Sequence, residues 1–370
     1  MDNFIGRAYA NVNLKKLKSN YDAVHKLVPH ETMVMAVVKA DAYGHGMVEI
    51  ATALQSHGCK WLSVASAEEA VTLVEHKIHA DILVMGVCFD AQIDEIISLG
   101  IRLTVTSLDF AKRVSENAVK RGIDAYIHIK IDTGMNRLGF KENFEEIIEM
   151  AKLPNLVLEG IYSHFAMSDG CDDFTNQQFA QFIDIIDHLK KQGVTFKIRH
   201  IANSGAVLEH PEFSLDMVRV GVLIYGLSPC STSAGAKRLR DLGILPILSL
   251  KSHVAHVKMI SAGESVGYGR TYIASHDMEV ATIALGYGDG VSRALSNKGS
   301  VIINGTLCPI IGTVCMDQLM VASSGAKPGD VVTYIGEGQN SEEIATIQGT
   351  INYEIVTSIS QRVIRKYINN

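Results

Sequence analysis

The chain has 370 residues, of which 47% are hydrophobic and 20% charged, and its formal net charge is −6 with no long run of either sign. This balance argues against a protein specialised for nucleic acid or a membrane surface, and no stretch approaches the length of a membrane span. We therefore expect a soluble globular protein of more than one domain that acts on small molecules.

The cysteines and the amino terminus bear on the compartment. The cysteines show no CxxC pair and no metal-ligand spacing to a histidine, and they are Cys59, Cys88, Cys171, Cys230, Cys308 and Cys315. Residues 1–17 contain no apolar segment typical of a signal peptide. We expect reduced thiols, no metal centre and a cytoplasmic location.

The first apolar run leads to a lysine. Residues 33–39 are rich in β-branched and apolar side chains, which predicts a strand buried on both faces. At its carboxyl end Lys39 would lose solvation, and a neutral amine is the nucleophile and base that Schiff-base chemistry requires. A lysine whose stem lies along apolar surface would give the same pattern. Tyr43, Gly44 and Gly46 favour a ligand site, because a turn here could bring a phenol and close backbone to one ligand.

From residue 33 to about 226, short β-branched runs alternate with helical patterns, as in βαβ units. The predicted strands are 33–39, 61–66, 82–87, 101–106, 125–132, 156–163, 196–203 and 217–226. The predicted helices, each with its N-cap, are 67–76 (Ser66), 107–121 (Ser107) and 175–191 (Thr175). Eight such units predict an α/β fold with a closed (β/α)8, TIM-like barrel. An open doubly wound sheet is the alternative, but no GxGxxG follows the first strand.

In such a barrel, function belongs at the carboxyl ends of the strands and in the loops after them. Reactive side chains stand at or near several of these ends, namely Lys39, Lys130, Asp132, Arg137, His164, Asn203, Ser204 and Arg219. Any one pair alone could be an ordinary salt bridge. Together they predict a site at this end of the barrel.

After about Ser231 the sequence changes to short alternating strands with turn signals such as Asn304-Gly305. The small polar run 231–235 predicts a linker. We therefore predict a barrel domain over 1–235 and a mainly β domain over 236–370.

The predicted β domain carries two Gly-Tyr-Gly turns, around Tyr268 and Tyr287, and later Met316. In either turn the glycines could serve only to form the turn while the tyrosine ring packs on the domain, and Met316 alone could fill a hydrophobic core. Asn352 opens a partly amphipathic helix that contains Tyr353.

Several motifs, in matching order along the whole chain, resemble the alanine racemase family: AVVKADAYGHG (36–46), KIDTGMNRLG (130–139), HFAMSD (164–169), ANSGA (202–206), RVGVLIYG (219–226), VGYGRTY (266–272), LGYGDG (285–290) and CMDQ (315–318). The resemblance implies an isomerase, a fold-type III enzyme that depends on pyridoxal 5′-phosphate. It also implies a head-to-tail homodimer in which the β domain of each subunit completes the active site of its partner.

By this resemblance Lys39 holds the cofactor as a Schiff base and acts on one face of the substrate, while Tyr268 of the partner subunit acts on the other. Racemisation needs two such groups, because a proton leaves one face of a planar carbanion and another returns to the opposite face. Their reference pKa values are about 10, so both need lowering. Arg219 resembles the partner of the pyridine nitrogen, and His164 resembles the link from Arg219 to Tyr268.

The other implied roles concern the phosphate, the substrate carboxylate, one modification and the entry path. The implied phosphate contacts are Tyr43, Asn203, Ser204, Gly221, Val222 and Tyr353. Arg137 and the backbone N–H of Met316 are the implied carboxylate contacts. Lys130 matches a position that is carbamylated in many members, which would turn a repulsive Lys130–Arg137 pair into an attractive one. Tyr287 is expected in the entry channel.

The resemblance predicts interconversion of L-alanine and D-alanine, which supplies D-alanine for peptidoglycan. A serine or broad-specificity amino-acid racemase stays open, because preference depends on pocket volume. A decarboxylase of this fold would need an acidic partner for the pyridine nitrogen, against which Arg219 argues, and Cys315 alone does not support it. A non-enzymatic protein that binds pyridoxal phosphate would lack the domain predicted over 236–370.

Overall fold

The structure, a computed structural model, describes residues 6–170 and 173–369, so that Cys171 lies outside the described residues. The chain forms two compact units. The barrel unit comprises Asn20–Ala42 and Met47–Ile224. The β unit comprises the described parts of Met1–Ser19, Tyr43–Gly46 and Tyr225–Asn370.

The barrel unit contains eight parallel strands that close in chain order. They are Met33–Val37, Trp61–Val64, Asp81–Val84, Arg102–Val105, Ala125–Lys130, Leu156–Tyr162, Ile198–His200 and Met217–Val220. The first strand pairs with both the second and the last, which closes the ring. The prediction of a closed barrel is confirmed, and the open doubly wound sheet is excluded.

Helices follow the strands, as short βα connections require. With the helix that precedes the barrel they are Leu14–His25, Met47–Ser56, Ala67–Glu75, Asp90–Ser98, Leu108–Arg121, Glu145–Met150, Asp173–Lys191, Ser204–Glu209 and the 3-10 turn Pro211–Phe213. Ser66 and Ser107 cap their helices as predicted. The prediction for Thr175 was wrong. The helix begins at Asp173, and the buried hydroxyl of Thr175 donates to the carbonyl of Met167 at 2.7 Å instead of capping.

Lys39–Gly44 is a left-handed helical turn, since four consecutive non-glycine residues have φ between 52 and 54°: Ala40, Asp41, Ala42 and Tyr43. This hand costs an L-residue roughly 1–2 kcal/mol. The strand before it ends at Val37, so Lys39 starts the turn rather than closing the strand. The Ala40 N–H donates to Oε1 of Glu69 at 2.6 Å, which holds the start of the turn in place.

The β unit is mainly β, as predicted. Its eight-stranded sheet and a two-stranded ribbon comprise Ala8–Asn13, Leu248–Ile260, Met278–Ile283, Ser300–Ile303, Thr306–Pro309, Leu319–Ser323, Val331–Ile335 and Ile364–Ile368, with the ribbon Ser265–Val266 and Tyr272–Ile273. Asn304-Gly305 forms the predicted two-residue hairpin turn, with φ of 50 and 78°. The helices and 3-10 turns are Ser233–Asp241, Ser341–Gln348, Asn352–Thr357, Tyr268–Arg270, Tyr287–Asp289 and Arg293–Leu295.

The division of the chain differs from the predicted 1–235 and 236–370. Ala8–Asn13 pairs with Leu248–Ile260 and Ile364–Ile368, so the first strand belongs to the sheet of the β unit. The later boundary lies between Ile224 and Tyr225. The run predicted as a linker leads into helix Ser233–Asp241, whose N-cap is the hydroxyl of Thr232. Among the described residues, no helix combines the length and apolarity that a membrane crossing requires.

Candidate active site

Four basic side chains interact at the carboxyl end of the barrel: Lys39, Lys130, Arg137 and Arg219. Burial lowers the pKa of Lys39, and the charges of Arg137 and Arg219 lower it further, while Glu69 opposes them. The structure thus brings together the basic residues that the sequence placed on separate strands and loops. Lowering its pKa makes Lys39 a better nucleophile near neutrality.

Lys130 is almost fully buried, and its Nζ donates to the carbonyls of Ile131 at 2.5 Å and Leu138 at 3.2 Å. Burial, followed by the charge of Arg219, lowers the pKa of Lys130 to about 7, although Asp132 opposes the shift. A large fraction of this lysine is therefore a neutral amine at physiological pH.

Asp132 organises the loop that carries Arg137. Its Oδ1 accepts the N–H groups of Gly134 at 3.0 Å and Asn136 at 2.9 Å. At Gly139, where φ is +116°, a Cβ would lie 2.7 Å from the carbonyl oxygen of Lys130, so this position requires glycine. The loop is thus folded tightly, and the side chain of Arg137 is exposed on it.

Arg219 is buried and held by two imidazoles and two carbonyls. Nη1 donates to Nδ1 of His200 at 2.9 Å, and Nη2 donates to Nδ1 of His164 at 3.1 Å. Nη2 also donates to the carbonyls of Ser163 at 2.7 Å and Ile201 at 3.1 Å. Burial lowers the pKa of Arg219 to about 10. Within the described part of the chain these partners include no carboxylate, so Arg219 is a buried cation suited to an electron-rich ligand.

The ends of the last two barrel strands are joined by side-chain to backbone bonds. Asn203 caps helix Ser204–Glu209, where its Oδ1 accepts from the N–H of Ala206 at 3.1 Å. The hydroxyl of Ser204 accepts from the N–H of Gly221 at 3.1 Å. The structure therefore brings Asn203, Ser204 and Gly221 together, with the buried Val222 following Gly221.

In the β unit, the structure brings Tyr43 and Tyr353 together, with ring centroids 6.2 Å apart. Burial, followed by the neighbouring Tyr353, raises the pKa of Tyr43, so its phenol stays protonated and can donate. Gly44 has φ of +79°, and a Cβ there would lie 2.3 Å from the carbonyl of Val356. Glycine is therefore required where the left-handed turn ends.

The exposed large side chains of the β unit include Tyr268 at 73%, Met316 at 53% and Tyr287 at 42%. The carbonyl of Tyr268 accepts from the hydroxyl of Thr313 at 2.9 Å, and the N–H of Tyr287 donates to the carbonyl of Cys315 at 3.0 Å. Both Gly-Tyr-Gly turns are thus tied to the segment that contains Met316. Exposed aromatic and thioether side chains grouped in this way suit an interface.

Two residues of the site were not predicted from the sequence: Glu69, near Lys39, and His200, which bonds Arg219. Oε2 of Glu69 accepts from the N–H of Ala65 at 2.8 Å, and its Oε1 holds the left-handed turn. The spacing of Ser66 and Glu69 is that of a capping box and could have singled out Glu69. His200 stands in a buried strand, where its sequence signal is that of an ordinary core histidine.

The donor set suits an anionic carbonyl compound more than a metal ion. The described residues contain no group of three or more His, Cys, Asp or Glu side chains that could hold a metal. The barrel end instead offers amines, guanidinium groups, a hydroxyl and backbone N–H groups, which bind phosphate and carboxylate oxygens.

Known proteins give matches over nearly the whole chain. Residues 12–229 match the family described as alanine racemase, N-terminal domain, and residues 247–367 match alanine racemase, C-terminal domain. The alanine racemase of Clostridium tetani is 40% identical, covering 98% of this chain and 95% of that protein.

Two solved structures show the same fold. The alanine racemase of Bacillus anthracis with bound L-Ala-P matches with a TM-score of 0.92 and 34% identity, covering 99% of this chain and 96% of that chain. The alanine racemase of Bartonella henselae with covalently bound pyridoxal phosphate matches with a TM-score of 0.88 and 30% identity, covering 98% of this chain and 100% of that chain. With both family domains matched and identities of 30–40% over almost the full length, this chain belongs to the alanine racemase family.

Proposed function

We propose that this protein interconverts L-alanine and D-alanine with pyridoxal 5′-phosphate and supplies D-alanine for cell-wall peptidoglycan. The observation that carries the proposal is the group of basic side chains around Lys39, in which Arg219 is buried without a carboxylate partner among the described residues. A phosphate and a substrate carboxylate would neutralise such a group. When bound, pyridoxal phosphate supplies an electron sink that makes the α-proton of an amino acid acidic.

The residues fit this cofactor. The amine of Lys39, with its lowered pKa, is the nucleophile for the aldehyde carbon. Arg219 can only donate, so beside the pyridine nitrogen it keeps that nitrogen unprotonated. The proposed phosphate contacts are the phenols of Tyr43 and Tyr353, the hydroxyl of Ser204, and backbone N–H groups near Asn203, Gly221 and Val222.

Two bases act on the α-carbon in this proposal. The Lys39 amine exchanges a proton on one face, and the phenol of Tyr268 of the partner subunit exchanges a proton on the other. Tyr268 is 73% exposed on its own β unit, whereas a catalytic base needs shielding from water. A partner subunit that covers Tyr268 would provide this shielding, which supports the proposal. A homodimer would bury Tyr268, Met316 and the entry-channel residue Tyr287.

The substrate carboxylate is held in this proposal by the guanidinium of Arg137 and the backbone N–H of Met316. Lys130 is the proposed carbamylation site. Its neutral amine would form an N–C bond to carbon dioxide and lose a proton, and the resulting carbamate would accept hydrogen bonds from Arg137. The five cysteines of the described residues are free thiols, which supports the proposed cytoplasmic location.

The test starts with the absorbance of the purified protein, followed by borohydride reduction and peptide mapping. We expect a yellow protein whose colour is lost on reduction, with the cofactor fixed to Lys39. Formation of the D-enantiomer from L-alanine and from L-serine then decides between an alanine racemase and a broad-specificity racemase. A protein that stays colourless with added pyridoxal phosphate, or that produces no D-amino acid, would contradict the proposal.

A further inference from the structure

A line of polar side chains crosses the barrel core from Arg219 to Glu159. Nη1 of Arg219 lies 2.9 Å from Nδ1 of His200, and Nε2 of His200 lies 2.8 Å from Nδ1 of His128. Nε2 of His128 lies 3.5 Å from Oε2 of Glu159, which also accepts from Nε of Arg102 at 3.0 Å. Both imidazoles are fully buried. Branched apolar side chains normally fill a barrel of this kind, so the line of polar groups is unusual.

Arg219 sets the direction of this line from one end, and the carboxylate of Glu159, which can only accept, sets it from the other. A guanidinium only donates, so Nδ1 of His200 accepts and its proton lies on Nε2. Nε2–H then donates to Nδ1 of His128, which places the second proton on Nε2 of His128, facing the carboxylate of Glu159. In His200 the donor and the acceptor are both in use, whereas Nε2 of His128 makes no hydrogen bond within the described residues and faces Oε2 of Glu159 across 3.5 Å.

Charges at the two ends support this direction. Burial lowers the pKa of both His128 and His200, which keeps the imidazoles neutral. Burial would raise the pKa of Glu159, but the neighbouring His128 and the hydrogen bond from Arg102 lower it to about 2, so this residue is a carboxylate. The line therefore has a cation at one end and an anion at the other, and aligned bonds between them polarise one another.

The strand Leu156–Tyr162 is shaped to admit these groups. Ile127 pairs with Leu158 but His128 pairs with Gly160, so Glu159 is the extra residue of a β-bulge. Bulges of this kind re-aim side chains. A Cβ at Gly160 would lie 2.5 Å from Nδ1 of His128, so a larger residue would displace the imidazole. Both features make room for the His128–Glu159 contact.

We propose that Glu159 and His128 are positioning residues for Arg219, acting through His200. They hold both imidazoles as Nε2–H tautomers, so that a bare Nδ1 faces the guanidinium and fixes its orientation. The proposal rests on the proposed function, in which Arg219 faces the pyridine ring of the cofactor.

The first test reads the tautomers directly in the wild-type holoenzyme labelled with 15N-histidine. We expect protonated Nε2 and unprotonated Nδ1 in both residues, with the His128 signals assigned by their loss in His128→Asn. A protonated Nδ1 in either residue would overturn the proposal. This readout does not depend on racemase activity, so its failure is distinct from failure of the proposed function, which would appear as a wild-type protein without activity.

The second test compares three variants of the holoenzyme. Glu159→Leu removes the acceptor, Glu159→Gln keeps an oxygen in its place, and Asp81→Asn is the matched control because Asp81 pairs with the same Arg102, at 2.7 Å. We expect Glu159→Leu to lower kcat about tenfold with KM little changed, and its His128 signals to show mixed tautomers. Glu159→Gln should recover most of kcat, and Asp81→Asn should match the wild type. Equal kcat and unchanged tautomers in Glu159→Leu and Asp81→Asn would overturn the proposal; if the leucine variant does not fold, the wild-type tautomers decide alone.

Discussion

Arg219 and His164 are joined by a 3.1 Å hydrogen bond in which the guanidinium Nη2 donates to the imidazole Nδ1. Burial, then the charge of Arg219, holds the pKa of His164 well below its usual value, so the imidazole is neutral. Its remaining proton therefore lies on Nε2. A neutral imidazole that presents a donor suits the proposed link to Tyr268 of the partner subunit, because it would stabilise a phenolate.

Replacing Tyr268 with phenylalanine should separate the two faces of the reaction. Racemisation has an equilibrium constant of 1, so kcat/KM must fall equally in both directions, by roughly 10²–10⁴-fold for loss of a general base. Exchange of the α-hydrogen with solvent need not fall equally for the two enantiomers. The family resemblance assigns Tyr268 to the α-hydrogen of L-alanine and Lys39 to that of D-alanine. We therefore expect the α-hydrogen of D-alanine to keep exchanging through Lys39, while exchange of the α-hydrogen of L-alanine stops, as followed by NMR in D2O.

The matched control for this prediction is Tyr287→Phe, which changes the other exposed tyrosine in a Gly-Tyr-Gly turn. It should keep exchange of both enantiomers. Loss of exchange for both enantiomers in Tyr268→Phe, or for neither, would refute the assignment of one base to each face.

Replacing Lys39 with alanine should remove both the cofactor absorbance and racemisation, because no other amine is assigned to the aldehyde carbon. Circular dichroism should show that the barrel remains folded, since the Ala40 N–H bond to Glu69 uses backbone that the substitution leaves in place. The control is Lys152→Ala, an exposed lysine of the barrel unit, which should keep colour and activity. A coloured, active Lys39→Ala protein would refute the role of Lys39.

Lys130 should make the free energy of unfolding depend on pH. The pKa of Lys130 is lowered from 10.5 to about 7 in the folded protein, so between these values the unfolded chain binds more protons. Stability contributed by this group therefore rises with pH across that window, by an amount of the order of a few kcal/mol. Urea unfolding at pH 7 and pH 9, in buffer free of carbon dioxide, measures the rise.

In Lys130→Met this part of the rise should be absent, although the variant also loses two hydrogen bonds and is less stable throughout. Lys141→Met is the control, because Lys141 is an exposed lysine of the same loop region that donates to Asn136. It should retain the wild-type slope. An identical slope in wild type and Lys130→Met would show that Lys130 is protonated in the folded state.

The barrel could be predicted from the sequence because each strand is a buried run followed by a helical pattern, and parallel strands joined in chain order leave few topologies. The strand Ala8–Asn13 could not be placed in this way. It pairs with a strand that begins at Leu248, and a short alternating pattern does not indicate which distant edge it joins. The boundary was predicted at residue 235 for the same reason, because the local sequence pattern does not show which unit a segment packs with.

The sequence indicated a candidate site residue where a reactive side chain lies in or just after a predicted strand, as for Arg219 and His164. It did not indicate the backbone conformation. The sequence from Lys39 to Tyr43 contains no glycine, so nothing in it indicates a left-handed turn, and the bond from the Ala40 N–H to Glu69 that holds the start of this turn is a tertiary contact. The local sequence does not indicate the bulge at Glu159 either, because the bulge depends on the register with a neighbouring strand.

Asp289 should control the segment that presents the Met316 N–H. Its buried carboxylate accepts from Arg7 at 2.7 Å, from Arg362 at 2.8 Å and from the N–H of Gly286 at 2.8 Å. The same arginines hold the 315–317 segment, since Arg7 donates to the carbonyl of Asp317 at 2.7 Å and Arg362 to that of Met316 at 3.3 Å. The carboxylate therefore fixes both cations and, through them, this segment.

Asp289→Asn should lower the free energy of unfolding by about 2 kcal/mol, since charge-assisted bonds are lost from a buried group. If the Met316 N–H binds the substrate carboxylate, KM for alanine should rise several-fold while kcat changes less. Asp317→Asn is the matched control, because Asp317 is 57% exposed and pairs with Arg362 at 2.9 Å. Exposed ion pairs contribute roughly 0–1 kcal/mol, so the control should change stability and KM little. Urea unfolding and initial rates on both variants measure these effects, and equal losses in the two would mean that burial of Asp289 has no special part in holding the segment.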